Sequence, residues 1–152
     1  MANTKIPNEL LEIGAKAFGT SSIMIGDTAT GTIDAANYNV GLGVDVFAAL
    51  TTGDYNVAIG YQALTANTTA SNNVAIGGAA LAANTTGTMN IAMGRNALYA
   101  NTTGDSNTAL GHDALGQNTT ADSNTAIGKD ALKVNTTGAN NVAVGGNALD
   151  AN

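Results

Sequence analysis

The sequence predicts an all-β fold, a parallel β-solenoid or β-roll wound from 17-residue coils. Three observations carry this. An asparagine recurs every 17 residues, at Asn56, Asn73, Asn90, Asn107, Asn124 and Asn141. Each opens a short run in which residues alternate with period two before a glycine: NVAIG, NVAIG, NIAMG, NTALG, NTAIG, NVAVG. Such alternation marks a strand, and the glycine supplies a turn. The composition is that of a thin repeat: Ala (29), Thr (21), Asn (20) and Gly (19) make up 89 of 152 residues. A globular domain draws more on Leu, Val, Glu and Lys.

Residues 1–21 precede the repeat and form an attachment segment. Ile6, Leu10, Leu11 and Ile13 are its anchor candidates, on a short helix from Asn8 to Lys16 or on an extended arm. Residues 22–55 hold two degenerate coils. Ser22 opens SIMIG, and Asn39 opens NVGLG with Thr51-Thr52 further on. Residues 56–152 hold six regular coils, the last incomplete. Their unit reads N-[VIT]-A-[ILMV]-G-x-x-A-L-x-x-N-T-T-[GA]-x-x, with places numbered here from the first Asn. A period of 17 is too short for paired-helix repeats. After the strand and the glycine at place 5, Ala-Leu starts a second short extended piece. Thr-Thr-Gly closes the coil. Coils then stack about 4.8 Å apart, the spacing of hydrogen-bonded strands.

The variable places indicate which side chains face water. From Asn56 onward, Arg95, Asp105, Asp113, Asp122, Lys129, Asp130, Lys133 and Asp150 all fall at places 6, 7, 10 or 16, with His112 also at place 6. These places read as solvent rails. Places 4 and 9 are always large and aliphatic and read as core: Ile59, Ile76, Met93, Leu110, Ile127 and Val144, with Leu64, Leu81, Leu98, Leu115, Leu132 and Leu149. Place 2 admits Thr108 and Thr125 and reads as half-buried. Places 3 and 8 are Ala in all six regular coils, which implies a close neighbour. So little apolar bulk per coil set against the ordering of 17 residues suggests several chains sharing one core, with a three-fold fibre as the closed solution.

The asparagines at place 1 and those at place 12 (Asn67, Asn84, Asn101, Asn118 and Asn135) should stack as structural amide ladders at the coil corners.

Several classes are excluded. Net charge of −6 with 44% hydrophobic residues argues against disorder. A single Pro and no glycine at every third residue exclude collagen. The absence of Cys excludes a disulfide scaffold and a thiolate zinc site. No apolar stretch of membrane-spanning length exists, and the opening residues lack the apolar segment of a signal peptide. Five Lys and Arg leave no nucleic-acid footprint.

No catalytic constellation, cofactor site or metal site is expected. His112 and Asp113 are adjacent without a positioned nucleophile. Asp113 with Asp130, and Asp105 with Asp122, come close if coils stack in register, as Ca²⁺ ligands would. Lys129 and His112 offer simpler compensation. Asn-Thr-Thr matches a glycosylation sequon five times, but its lock to the repeat favours turn chemistry. Paired exposed Thr ranks would suggest ice binding, but adjacent Thr side chains point to opposite faces. Tyr55, Tyr61 and Tyr99, on variable places, are weak receptor-contact candidates.

The pentapeptide N-[VIT]-A-[IVLM]-G resembles the repeat in head domains of trimeric autotransporter adhesins. The longer stretch GYQALTANTTASNNVAIG resembles repeats in marine phage tail-fibre proteins, and the opening MANTKIP-x-EL is similar to the start of tail-fibre proteins of cyanophage-like viruses. The repeat resemblance covers roughly residues 22–152. It implies a left-handed homotrimer and a structural virion fibre, assembled in the host cytoplasm. The N-terminus would join other tail proteins, and a distal part would contact a host-surface glycan. It implies no enzyme, nucleic acid or membrane insertion. The 17-residue period departs from the adhesin pattern. Asn152 falls at place 12 of a coil, so a longer fibre beyond it is expected. A bacterial adhesin head and an ice-binding solenoid are the alternative readings.

Overall fold

The computed structural model describes residues 36–150 and the backbone of residues 15–16 and 23–25. The anchor candidates Ile6, Leu10, Leu11 and Ile13 lie outside the described residues. Two short strands come first, β1 (Ala15–Lys16) and β2 (Ile23–Ile25). Then one three-residue strand recurs per coil: β3 (Val40–Leu42), β4 (Val57–Ile59), β5 (Val74–Ile76), β6 (Ile91–Met93), β7 (Thr108–Leu110), β8 (Thr125–Ile127) and β9 (Val142–Val144). Among the described residues there is no helix. The strands form one sheet in chain order.

From β2 onward all pairs are parallel, and every partner is 17 residues away: Ile23 beside Val40, Val57 beside Val74, Thr108 beside Thr125. The degenerate unit opened by Ser22 is therefore in register with the rest. β1 pairs antiparallel with β2, so Ala15–Lys16 are extended rather than the end of a helix.

Beyond the strand the chain does not extend a second time, as the sequence reading expected of Ala-Leu. It turns through places 6–11. Places 7 and 9 adopt left-handed backbone, as at Asn96 (φ 56°) and Leu98 (φ 51°). For a leucine this conformation is costly, and it persists only where the surroundings impose it. Here those surroundings are burial and hydrogen bonding between coils. Leu98 is fully buried, and its N–H donates to the Ala114 carbonyl of the next coil (3.0 Å). The glycine at place 5 is required twice over. At Gly94 φ is +137°, and an added Cβ would lie 2.5 Å from the carbonyl oxygen of Gly111.

Two asparagine ladders close the coil. The backbone N–H and Nδ2 of Asn73 both donate to Asn56 Oδ1 (3.0 and 3.2 Å), and Asn73 Nδ2 also donates to the Gly87 carbonyl (3.0 Å). Backbone N–H bonds of this kind run from Asn56 onto Asn39 through to Asn141 onto Asn124. Asn39, in a degenerate coil, is thus the first rung. The second ladder joins side chains only, as when Asn101 Nδ2 donates to Asn84 Oδ1 (2.9 Å) and to the Gly104 carbonyl (3.0 Å). It is interrupted at Asn67, whose Oδ1 is buried without a hydrogen-bond partner. Most asparagines of both ladders are fully buried, which satisfies the rule that interior polar groups must be paired. It also puts the Asn of four of the five sequons out of reach, the exception being the partly exposed Asn135.

The interior differs from the expectation in one decisive respect. Place 9 points inward, with Leu64, Leu81, Leu98 and Leu115 fully buried and Leu132 nearly so. In the final described coil, Leu149 is partly exposed. Place 4 points outward: Ile59 and Ile76 are half-buried, while Met93, Leu110, Ile127 and Val144 are exposed. In a strand, places 2 and 4 share one face and place 3 takes the other. The inward residues of β4 to β9 are the alanines Ala58, Ala75, Ala92, Ala109, Ala126 and Ala143. These alanines line the interior of their own coil, packing towards Ala63, Leu64 and their repeats. The Ala stripes therefore mark a narrow single-chain core and not a core shared among chains.

Candidate functional site

Turning place 3 inward leaves the large side chains of each strand outside. Val40, Leu42, Ile91, Met93, Leu110, Ile127, Val142 and Val144 are exposed, and Val57, Ile59, Val74 and Ile76 are half-buried. Only Thr108 and Thr125 interrupt this otherwise aliphatic face. It runs unbroken from β3 to β9, because the register holds equivalent residues side by side. Exposed apolar surface is ordinary when scattered, but a continuous patch marks an interaction surface.

Charge borders this face without entering it. Just before the strands, at place 16, stand Asp54, Asp105 and Asp122. The sequence reading made Asp105 and Asp122 solvent rails. The structure gives them a further task. Asp105 Oδ1 accepts the Thr88 N–H (2.6 Å), and Asp122 Oδ1 accepts the Asp105 N–H (2.7 Å). Asp54 Oδ1 accepts the Asn37 N–H (2.7 Å), and Ser71 Oγ accepts the Asp54 N–H (2.9 Å). Place 16 is thus a third ladder, tying each coil to the one before. Its signal in the sequence is the restriction of that place to short side chains with an oxygen acceptor through most of the repeat.

Just after the strands, at place 6, stand Arg95, His112 and Lys129. His112 Nε2 lies 3.5 Å from Arg95 Nη1, and His112 Nδ1 lies 3.4 Å from Asp113 Oδ2. Behind them, Lys133 Nζ bridges Asp113 (3.1 Å) and Asp130 (2.9 Å), and Lys129 also pairs with Asp130. Asp130 is buried, unlike the solvated rail expected of place 7. Hydrogen bonds from Lys129 and Lys133 outweigh its burial and hold its carboxyl down at about 2. Burial pushes the Asp113 carboxyl up, but hydrogen bonds from Asn96 and Lys133 leave it below the ordinary value. Ligand atoms of His112, Asp113 and Asp130 lie within 4.8 Å of one another. The lysine ammonium already bonded to both carboxylates makes this cluster an ion-pair network rather than a built cation site.

The tyrosine candidates do not form one site. Tyr55 stands at place 17 and stacks on Tyr38, with ring centroids 4.8 Å apart and planes inclined by 9°. Tyr61 stands at place 6 and Tyr99 at place 10, both exposed. A small polar pocket of about 270 Å³ lies in the turn lined by Val134, Asn135, Thr136, Thr137, Gly138 and Asn141. At place 13, Thr68, Thr85 and Thr102 donate Oγ1 to the Thr carbonyl of the following coil, so only the rank at place 14 is free to face outward. No helix among the described residues is long and apolar enough to cross a membrane.

The arrangement offers a periodic apolar surface with charged margins, and no grouping that performs chemistry. No protein-family profile matches the chain, and no curated protein or solved structure matches it.

Proposed function

We propose that this chain is a structural fibre protein whose solenoid acts as a stiff trimeric spacer, with the outer sheet face as the contact between chains. The observation that carries the reading is that face, aliphatic over its whole length and free of charge. A stack of coils in which each contacts only its neighbours transmits length without a globular core. An uncovered apolar face of this extent favours association. Three copies around an axis parallel to the stack would cover all the faces together. The repeat's resemblance to phage tail-fibre repeats adds a virion as the setting. There the fibre would serve host attachment, with residues 1–21 towards the other tail proteins and a host-surface glycan met elsewhere along the fibre.

The test is solution mass and shape. The purified chain should have three times the mass of one chain by light scattering and appear as a short rod by electron microscopy. A monomer at 100 µM would overturn the trimeric spacer.

A further inference from the structure

Resting on the reading of the sheet face as a contact between copies, we infer that those copies lie side by side and point the same way. The acidic border of one sheet would meet the basic border of the next.

The two margins of the face differ in sign through its second half. β7 is bracketed by Asp105 and His112, and β8 by Asp122 and Lys129. Arg95 follows β6, while uncharged Thr88 precedes it. On the basic margin the exposed group is the cation. The Lys129 side chain is 69% exposed, whereas that of its partner Asp130 is 10% exposed and held from behind by Lys133. On the acidic margin Asp122 is exposed and Asp105 half-buried, with no cation printed as bonded to either.

Rotation about an axis parallel to the coil stack carries the acidic margin of each face to the basic margin of its neighbour. This holds for any number of chains in a ring. A two-fold axis across the stack would instead set acid against acid and base against base. Opposite charges at the rim of an apolar contact select register and direction more than they add affinity. The margins of this face therefore select the parallel arrangement.

The chain has no cysteine, so single labels are readily placed. Thr69, Thr103 and Thr137 are exposed at place 14, away from the face. Spin labels on T69C, T103C and T137C should give one and the same inter-chain distance by pulsed electron resonance. A distance that changes with the labelled coil would mean antiparallel chains and overturn the inference while leaving association standing. A monomer would overturn both.

A second measurement uses charge. R95E/K129Q should raise the dissociation constant roughly tenfold at low salt, the scale of a few exposed ion pairs. D105N/D122N keeps the acceptor oxygens of the place 16 ladder. It should weaken association of the natural chain but strengthen association of R95E/K129Q. Strengthening in both backgrounds would mean acid facing acid and overturn the parallel arrangement. Unchanged circular dichroism of each variant monitors the coil itself.

Discussion

The two faces of the β3–β9 sheet invert the usual distribution of bulk. Facing the interior is a column of small residues, Gly41 followed by alanines, and facing outward are valine, isoleucine, leucine and methionine. In most one-sided sheets the large residues are inside and the polar ones outside. Here the interior is too narrow for them. The opposite wall of the coil, carrying Ala63 and Leu64 and their repeats, approaches closely enough that alanine fills the space. Residue size therefore reports available space in this fold, and polarity reports exposure. The coil at Asn39 shows the same principle from the other side. It has Gly41 where the others have Ala, and Val46, Phe47 and Leu50 in place of Ala, Leu and Asn, all buried. Volume lost at one wall is regained at the other.

The contrast can be broken most forcefully from inside. Ala109→Leu adds three carbons to a fully buried position facing the opposite wall. It should cost about 3 kcal/mol, at the upper end of overpacking effects, read as a shift in the urea midpoint. Asn107→Ala removes the acceptor for the Asn124 N–H and the donor to the Ala121 carbonyl, leaving both groups buried and unpaired. About 2–3 kcal/mol should be lost. Asn101→Ala interrupts a ladder that holds no backbone N–H, so its cost should be smaller. Equal costs would mean that the two ladders are equivalent and contradict the geometry.

Acid should act on the turn wall rather than the sheet. The folded Asp130 carboxyl sits at about 2, below its ordinary value of 3.8, because Lys129 and Lys133 bond its charged form. A folded value below the unfolded one stabilises the coil above about pH 4, and that contribution disappears as pH falls through about 2. The melting temperature should decline over that interval, and Asp130→Asn should flatten the decline.

The smallest effect on the fold should come from the outer face. Leu110→Ser should alter monomer stability by less than about 1 kcal/mol, since the side chain is 43% exposed. Yet it should weaken association measurably in sedimentation. Reversal of this pair of outcomes would return place 4 to the interior.

The coil length, parallel register and place 1 ladder were legible in the sequence because each repeats without error over many units. The orientation of the strand was misread, although the signal was there. Thr108 and Thr125 stand at place 2, which shares a face with place 4, and the invariant Ala lies between them. Hydrophobicity was allowed to outweigh period-two geometry. The turn through Leu98 was not legible, because leucine carries no preference for left-handed backbone and adopts it under constraint from the adjoining coils. The ion-pair bridge by Lys133 joins Asp113 and Asp130 across coils, and only stacking reveals it.

The strict 17-residue register also bears on inheritance. Every tie between coils, whether strand pairing, amide ladder or place 16 acceptor, spans the same interval. Removing or duplicating seventeen consecutive codons anywhere in the regular repeat would restore each of these bonds in a neighbouring coil, whereas a loss of sixteen would break them all locally. Length is thus a trait that recombination between near-identical gene segments can alter in whole steps, without any compensating substitution.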